Sequence, residues 1–219
     1  MGRSRDALMA FEESIHRARS FLTAYRQLHG KAGQVPRSKS DLLRGAVVFA
    51  VAAMDAYIRD VVTSHLAPVI ARDIHKKRAL PERLVKIIDG CMSTEDLIKA
   101  AYAKRPGSHV RSAVANKLAG RAFQNVRAID DAFLLLGIDG MVGQAAVEMK
   151  WKQGQLKKML RDVAKRRHQI VHQADLRQDN RKKRTPRRIT VEFTEKAIAT
   201  IEKFVRAMDG IVARRVVES

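Results

Sequence analysis

The stretch Arg166-Arg167-His168-Gln169-Ile170-Val171-His172-Gln173-Ala174-Asp175 gathers cations, titratable bases and a carboxylate within about three helical turns. It closes a helical pattern that starts near Gln153 and ends by Asp175. An arginine grips a phosphate with two prongs and stays charged at any ordinary pH, whereas a histidine takes and returns a proton near neutrality. Side chains of these kinds, so close together, are the equipment for handling a phosphodiester.

Outward from this helix, helical periodicity dominates and β-branched alternation is almost absent, so the chain reads as all-α, a single domain over residues 1–219. A first amphipathic helix spans residues 4–29, ended by Gly30 and a loop through Pro36. Ser38 or Ser40 can cap a second helix that runs to Leu66, before Pro68. Shorter helices follow over 68–77 and 81–89, the latter with Pro81 at its start and Gly90 at its end. Ser93 and Asp96 form a capping box for a helix closed by Pro106-Gly107. Segments 109–119 and 121–136 are also helical, and Gly137, Gly140 and Gly143 then make a flexible turn. Residues 67–145 thus read as a helical insertion within a simpler bundle. Beyond the motif, the stretch 177–188 is too charged to pack and is broken by Pro186, so it reads as a solvated basic loop. Residues 189–193 are extended, and Thr194 caps a last helix with Ile198, Ile201, Val205, Met208 and Ile211 on one face.

At 219 residues and 46% hydrophobic, the chain can bury a full core. Its formal charge of +20 exceeds what solubility requires and favours a polyanionic partner, nucleic acid or an anionic membrane. Nucleic acid is preferred, because the longest apolar run, Ala46 to Met54, is less than half a spanning helix and the amino terminus lacks a signal-peptide profile. The lone Cys91 excludes an intramolecular disulfide framework and a multi-cysteine zinc site, which points to a reducing cytoplasm. There is no phosphate-binding Walker loop, dinucleotide fingerprint or nucleophile elbow.

A five-residue step leads from Arg167 to His172, which turns one side chain about 140° from the other, so they meet only if the arginine curls, the helix end loosens or a second subunit helps. A histidine that merely closes the helix end is the bland alternative for His172. His168 and His172 have the i, i+4 spacing of a two-histidine metal site, yet neither a third ligand nor the glutamate of a zincin motif accompanies them, and no metal or other cofactor is expected. Asp55 lies in a helix that is apolar on nearly every side, where an unpaired carboxylate would cost several kcal/mol. It shares a stripe with Arg44 and Arg59, so one reading is a structural pair with Arg59, and the other brings Asp55 beside Arg167 or His172 to orient them. Trp151 either anchors the start of the motif helix or stacks on a base. His16, His29, His65, His75 and His109 have no ligand spacing and read as structural or solvated.

The context Arg-Arg-His-Gln-Ile-Val-His-Gln-Ala-Asp, with the apolar helix Leu42 to Tyr57 and the helix after the motif, resembles the HEPN family, in particular its RiboL-PSP-HEPN branch. The resemblance covers roughly residues 38–215. It implies an antiparallel helical bundle in which the motif helices of two protomers meet and a composite site cuts RNA without metal. His172 would then move the proton of a ribose 2′-hydroxyl or of the leaving oxygen, and Arg167 would hold the scissile phosphate. His168, where the family often has Asn or Asp, would support them together with Asp55, Arg166 and Arg44, while Lys165, Arg177, Arg181, Lys182, Lys183 and Arg184 would gather RNA. The implied role is that of a homodimeric toxin or antiphage endoribonuclease restrained by an antitoxin or other regulatory partner. Two rivals remain: a catalytically silent module of the same family binding RNA or nucleotide within a larger complex, and a DNA-binding helical protein, for which no clear helix-turn-helix is present.

Overall fold

The computed structural model describes residues 2–28, 39–103, 106–176 and 186–217. These form α1 (Gly2–Leu28), α2 (Ser40–His75), α3 (Glu82–Asp89), α4 (Thr94–Tyr102), α5 (Pro106–Ala119), α6 (Val126–Phe133) with a 3-10 turn at Leu134–Leu136, α7 (Met141–Glu148), α8 (Gln153–His172) and α9 (Val191–Val217). Among the described residues there is no strand, only an isolated antiparallel bridge between Leu176 and Pro186. The protein is an all-α bundle, as its periodicity requires.

Helix α2 is the axis, touching α1, α5, α8 and α9. That position explains its apolar pattern on nearly every side: Leu43, Val47, Ala50, Ile58, Val62 and Leu66 are all fully buried. Small residues allow close approach, and a Cβ added at Gly45 would stand 3.4 Å from the ring of Phe21 on α1. Between α1 and α9, Arg19 pairs with Glu202 at 2.5 Å and Arg206 with Glu12 at 2.8 Å. These pairs are largely exposed, so cohesion comes from the core beneath them. Tyr57, buried in α2, donates to Asp209 of α9 at 3.0 Å; burial first, then the Asp209 carboxylate, pushes its hydroxyl pKa far upward.

Several boundaries expected from local signals move. Helix α2 does not stop at Leu66; it runs through Pro68 to His75. The proline forfeits one backbone bond, a local cost of about 3 kcal/mol, but Leu66, Val69 and Ile70 on the same helix are buried, and tertiary packing overrides the breaker. Pro106 begins α5 instead of closing α4, the first-turn position where a missing N–H costs little. Of the glycines placed in one turn, Gly137 and Gly140 do have left-handed φ of 71° and 60°, but Gly143 lies within α7, a helix that the cluster of glycines had concealed. The last helix starts at Val191, and Thr190 rather than Thr194 accepts from the amide of Phe193, at 3.2 Å. At α2 the preceding Lys39 makes no side-chain cap bond, and Ser40 is the first helical residue; Ser38 lies outside the described residues. The Ser93–Asp96 capping box and the Pro81 and Gly90 boundaries of α3 are present as expected.

Candidate functional site

The end of α8 delivers the motif to the surface. Leu156, Leu160 and Val163 face the core, and the next turns expose Lys165, His168 and His172. Trp151, just before the helix, packs against the core, the anchoring alternative of its two readings. The half-buried Arg167 curls around the last turn, and its Nη1 comes to 3.4 Å from His172 Nε2. One chain therefore closes the 140° gap by itself, so helix geometry gives no reason to require a second subunit. A guanidinium only donates, so a hydrogen bond here requires the neutral imidazole with its lone pair on Nε2, the form that removes a proton. The His168 and His172 rings lie 4.8 Å apart, tilted by 44°. Among the described residues no group of three His, Cys, Asp or Glu side chains is placed to hold a metal ion.

Arg166, one residue before Arg167, has the opposite environment. Its side chain grips Asp175 in two-pronged fashion, with Nη1 on Oδ1 and Nη2 donating to Oδ2 at 2.8 Å. Arg44 of α2 donates Nε to the same Oδ2 at 2.5 Å, and its other nitrogens reach Ser40 Oγ, Asp41 Oδ1 and the Arg187 carbonyl. Asp175 is 2% exposed, Arg44 8% and Arg166 9%, so this is a buried ion cluster joining α2, the end of α8 and the approach to α9. Burial is the main influence lowering the pKa of Arg166; the Asp175 carboxylate opposes it, and the nearby charges of Arg44 and Arg187 add to the lowering.

Local backbone makes the cluster possible. After His172, the Gln169 carbonyl accepts from both Gln173 and Asp175, and Leu176 donates to Gln173, closing a tight turn. Its two central residues, Ala174 and Asp175, have φ of 47° and 55°. Left-handed backbone suits Asp better than Ala, and the turn aims the carboxylate back at Arg166. The chain re-enters at Pro186, opposite Leu176, and the Arg187 amide donates to the Asp175 carbonyl at 2.7 Å. Both ends of the basic stretch are thus pinned beside the motif. Arg187 and Arg188, expected in a solvated loop, instead have carbonyls bonded by Arg166, and Arg177, Arg181, Lys182, Lys183 and Arg184 lie outside the described residues.

Two expectations on α2 are corrected. The hydrogen bonds of Asp55 go to Arg59, at 2.8 Å, and to the Phe123 amide, tying α2 to the segment before α6, so the structural pairing holds in place of an orienting contact with Arg167 or His172. Arg44 does not complete a stripe with Asp55; it turns to Asp175, because a buried guanidinium needs the carboxylate that the α8 turn provides. Asp175 is the residue whose importance spacing understated. The signal was present in Arg166 followed nine residues later by an acid, but only the turn reveals that they meet.

Neither the curated proteins nor the solved structures contain a significant match to this chain. The family profile described as RiboL-PSP-HEPN matches residues 12–214, a span that takes in α2, the motif helix α8 and nearly all of α9. With nine-tenths of its length matched and the Arg-x4-His pair assembled at the end of a bundle helix, the chain belongs to the RiboL-PSP-HEPN family.

Proposed function

We propose that the protein is a metal-independent endoribonuclease whose reacting groups are His172 and Arg167. The observation that carries this reading is the 3.4 Å approach of the Arg167 guanidinium to His172 Nε2 on an exposed helix end, within a chain of net charge +20. His172 Nε2 takes the proton of a ribose 2′-hydroxyl, whose oxygen attacks the adjacent phosphorus; the P–O5′ bond breaks, leaving a 2′,3′-cyclic phosphate and a 5′-hydroxyl. Arg167, released from the ring when RNA enters, holds the charge that grows on the non-bridging oxygens. The proton for the departing 5′ oxygen comes from a second histidine, either His168 or His172 of a second copy in a homodimer. The HEPN resemblance favours the dimer, and toxin or antiphage use with a restraining partner rests on that resemblance too.

The test is cleavage of single-stranded RNA in EDTA. Cutting should persist, should yield 2′,3′-cyclic phosphate ends, and should be abolished by His172→Ala and by Arg167→Ala. Activity lost on chelation and restored by zinc or magnesium would overturn the mechanism and return His168 and His172 to a metal-binding role. RNA binding without any cutting would favour a silent module.

A further inference from the structure

Beside the ion cluster, a cleft of about 410 Å³ opens between the end of α8 and the start of α9, lined by Arg166, Arg187, Arg188, Ile189, Thr190 and Phe193. Its volume falls in the range of small-ligand sites, and its walls combine arginines with an apolar, partly aromatic floor. The charges are unevenly matched. Asp175 is occupied by Arg166 and Arg44, and Glu192 lies near Arg188, whose charge helps to lower its carboxyl pKa after its hydrogen bonds to backbone and Thr190. Arg187 is the cation left over: its Nε is buried and has no hydrogen-bond partner among the described residues.

The Arg187 backbone is nevertheless held from both sides. Its carbonyl accepts from Arg44 at 2.8 Å and from Arg166 at 3.2 Å, and its amide donates to Asp175. The backbone at this position is thus fixed before any ligand arrives, and a buried side-chain donor without an acceptor carries a desolvation cost that an anion would remove. On a regular helix Arg166 lies about 100° from Arg167 and about 120° from His172, so the cleft opens on a face of α8 other than that of the reacting pair.

We propose that this cleft is a phosphate subsite for RNA, in which Arg187 and Arg188 hold a phosphate flanking the scissile one while Ile189 and Phe193 receive the attached nucleoside. The proposal rests on the ribonuclease reading only in setting this phosphate beside a scissile one; binding is tested without cleavage. Arginine forks match phosphate geometry, and an aromatic face accepts any base, so the subsite supplies affinity and register without sequence preference.

The experiment measures binding of single-stranded RNA to the full chain carrying His172→Ala, with and without Arg187→Gln. The glutamine keeps the backbone bonds of residue 187 and removes only the fork. Binding should weaken roughly tenfold, and the slope of log affinity against log salt should flatten by about 0.7. Loss that appears only with 5′-phosphorylated oligonucleotides assigns the subsite to a terminal phosphate; equal loss with hydroxyl-ended ones assigns it to an internal phosphodiester. Unchanged affinity and slope would overturn the proposal even if the His172-intact protein cuts RNA, whereas failure to cut with the Arg187 effect present would overturn only the nuclease reading. Independently of any variant, inorganic phosphate added to the unaltered protein should shift the amide resonances of Ile189, Thr190 and Phe193 before others, and uniform or absent shifts there would also reject it.

Discussion

Arg166 and Arg167 are neighbours with the same side chain and opposite fates. Arg166 is 9% exposed, doubly bonded to a buried carboxylate and bonded to two carbonyls; Arg167 is half-buried, with one long contact to His172. One helical step, about 100°, separates a group spent on holding helices together from one still available to a substrate. A buried guanidinium keeps its charge and costs stability unless that charge is satisfied, while a half-exposed one tolerates a loose contact and can exchange it for phosphate. In the proposed function the less satisfied of the two therefore takes the reacting role, and the more satisfied one fixes where the helix ends.

That contrast breaks first at His172. His172→Ala should lower RNA cleavage by about 10²–10⁴-fold while stability changes by no more than roughly 0.5 kcal/mol, measured by single-turnover cleavage and urea unfolding. A variant that unfolds at much lower urea would show that the pair is part of the frame. The cluster should behave in reverse. Asp175→Ala strands Arg44 and Arg166 without their shared acid and should cost about 3–5 kcal/mol of unfolding free energy. Full stability with lost activity would move Asp175 into the reacting machinery.

Asp55 sharpens the distinction at intermediate cost. Asp55→Ala leaves the Phe123 amide without its acceptor and Arg59 without its carboxylate, with only the Arg121 carbonyl still accepting from it, and should destabilise by about 1–3 kcal/mol, with cleavage per folded molecule preserved. Activity lost at unchanged melting temperature would place Asp55 at the site after all. The smallest effect is expected at Ala174, whose left-handed φ of 47° strains a side-chain-bearing residue in the turn that presents Asp175. Ala174→Gly relieves that strain but loosens the unfolded chain, for a net gain of about 0.5–1 kcal/mol in thermal unfolding. A loss of stability would mean that the Ala174 methyl contributes packing that outweighs its strain.

How much of this was legible depends on the range of the forces involved. Ser93 with Asp96, and Pro81 with Gly90, act within a turn of themselves, and those ends fell where local chemistry put them. Pro68 is a local breaker too, yet α2 continues through it because the residues around it are buried by distant helices. Glycine spacing suggested a loop where α7 forms, yet Gly143 has no left-handed φ and lies inside the helix, where an added Cβ would meet only the end of the exposed Gln153 side chain, at 2.8 Å. Asp55 was recognised as needing a partner, and i, i+4 geometry supplied Arg59, but no sequence rule pointed to the Phe123 amide.

The sequence by itself determined the all-α class and the net charge of +20, and it singled out Arg167 and His172 as the candidate pair, because periodicity, net charge and residue chemistry are carried by the chain whatever its packing. Only the tertiary structure decided that the two side chains meet within one subunit, that Arg44 and Arg166 share Asp175 131 and 9 residues away, and that Arg187 is left facing a cleft. Those outcomes depend on where a left-handed turn returns the chain and on which cations the fold buries beside one carboxylate, quantities that close only when distant segments are brought into contact.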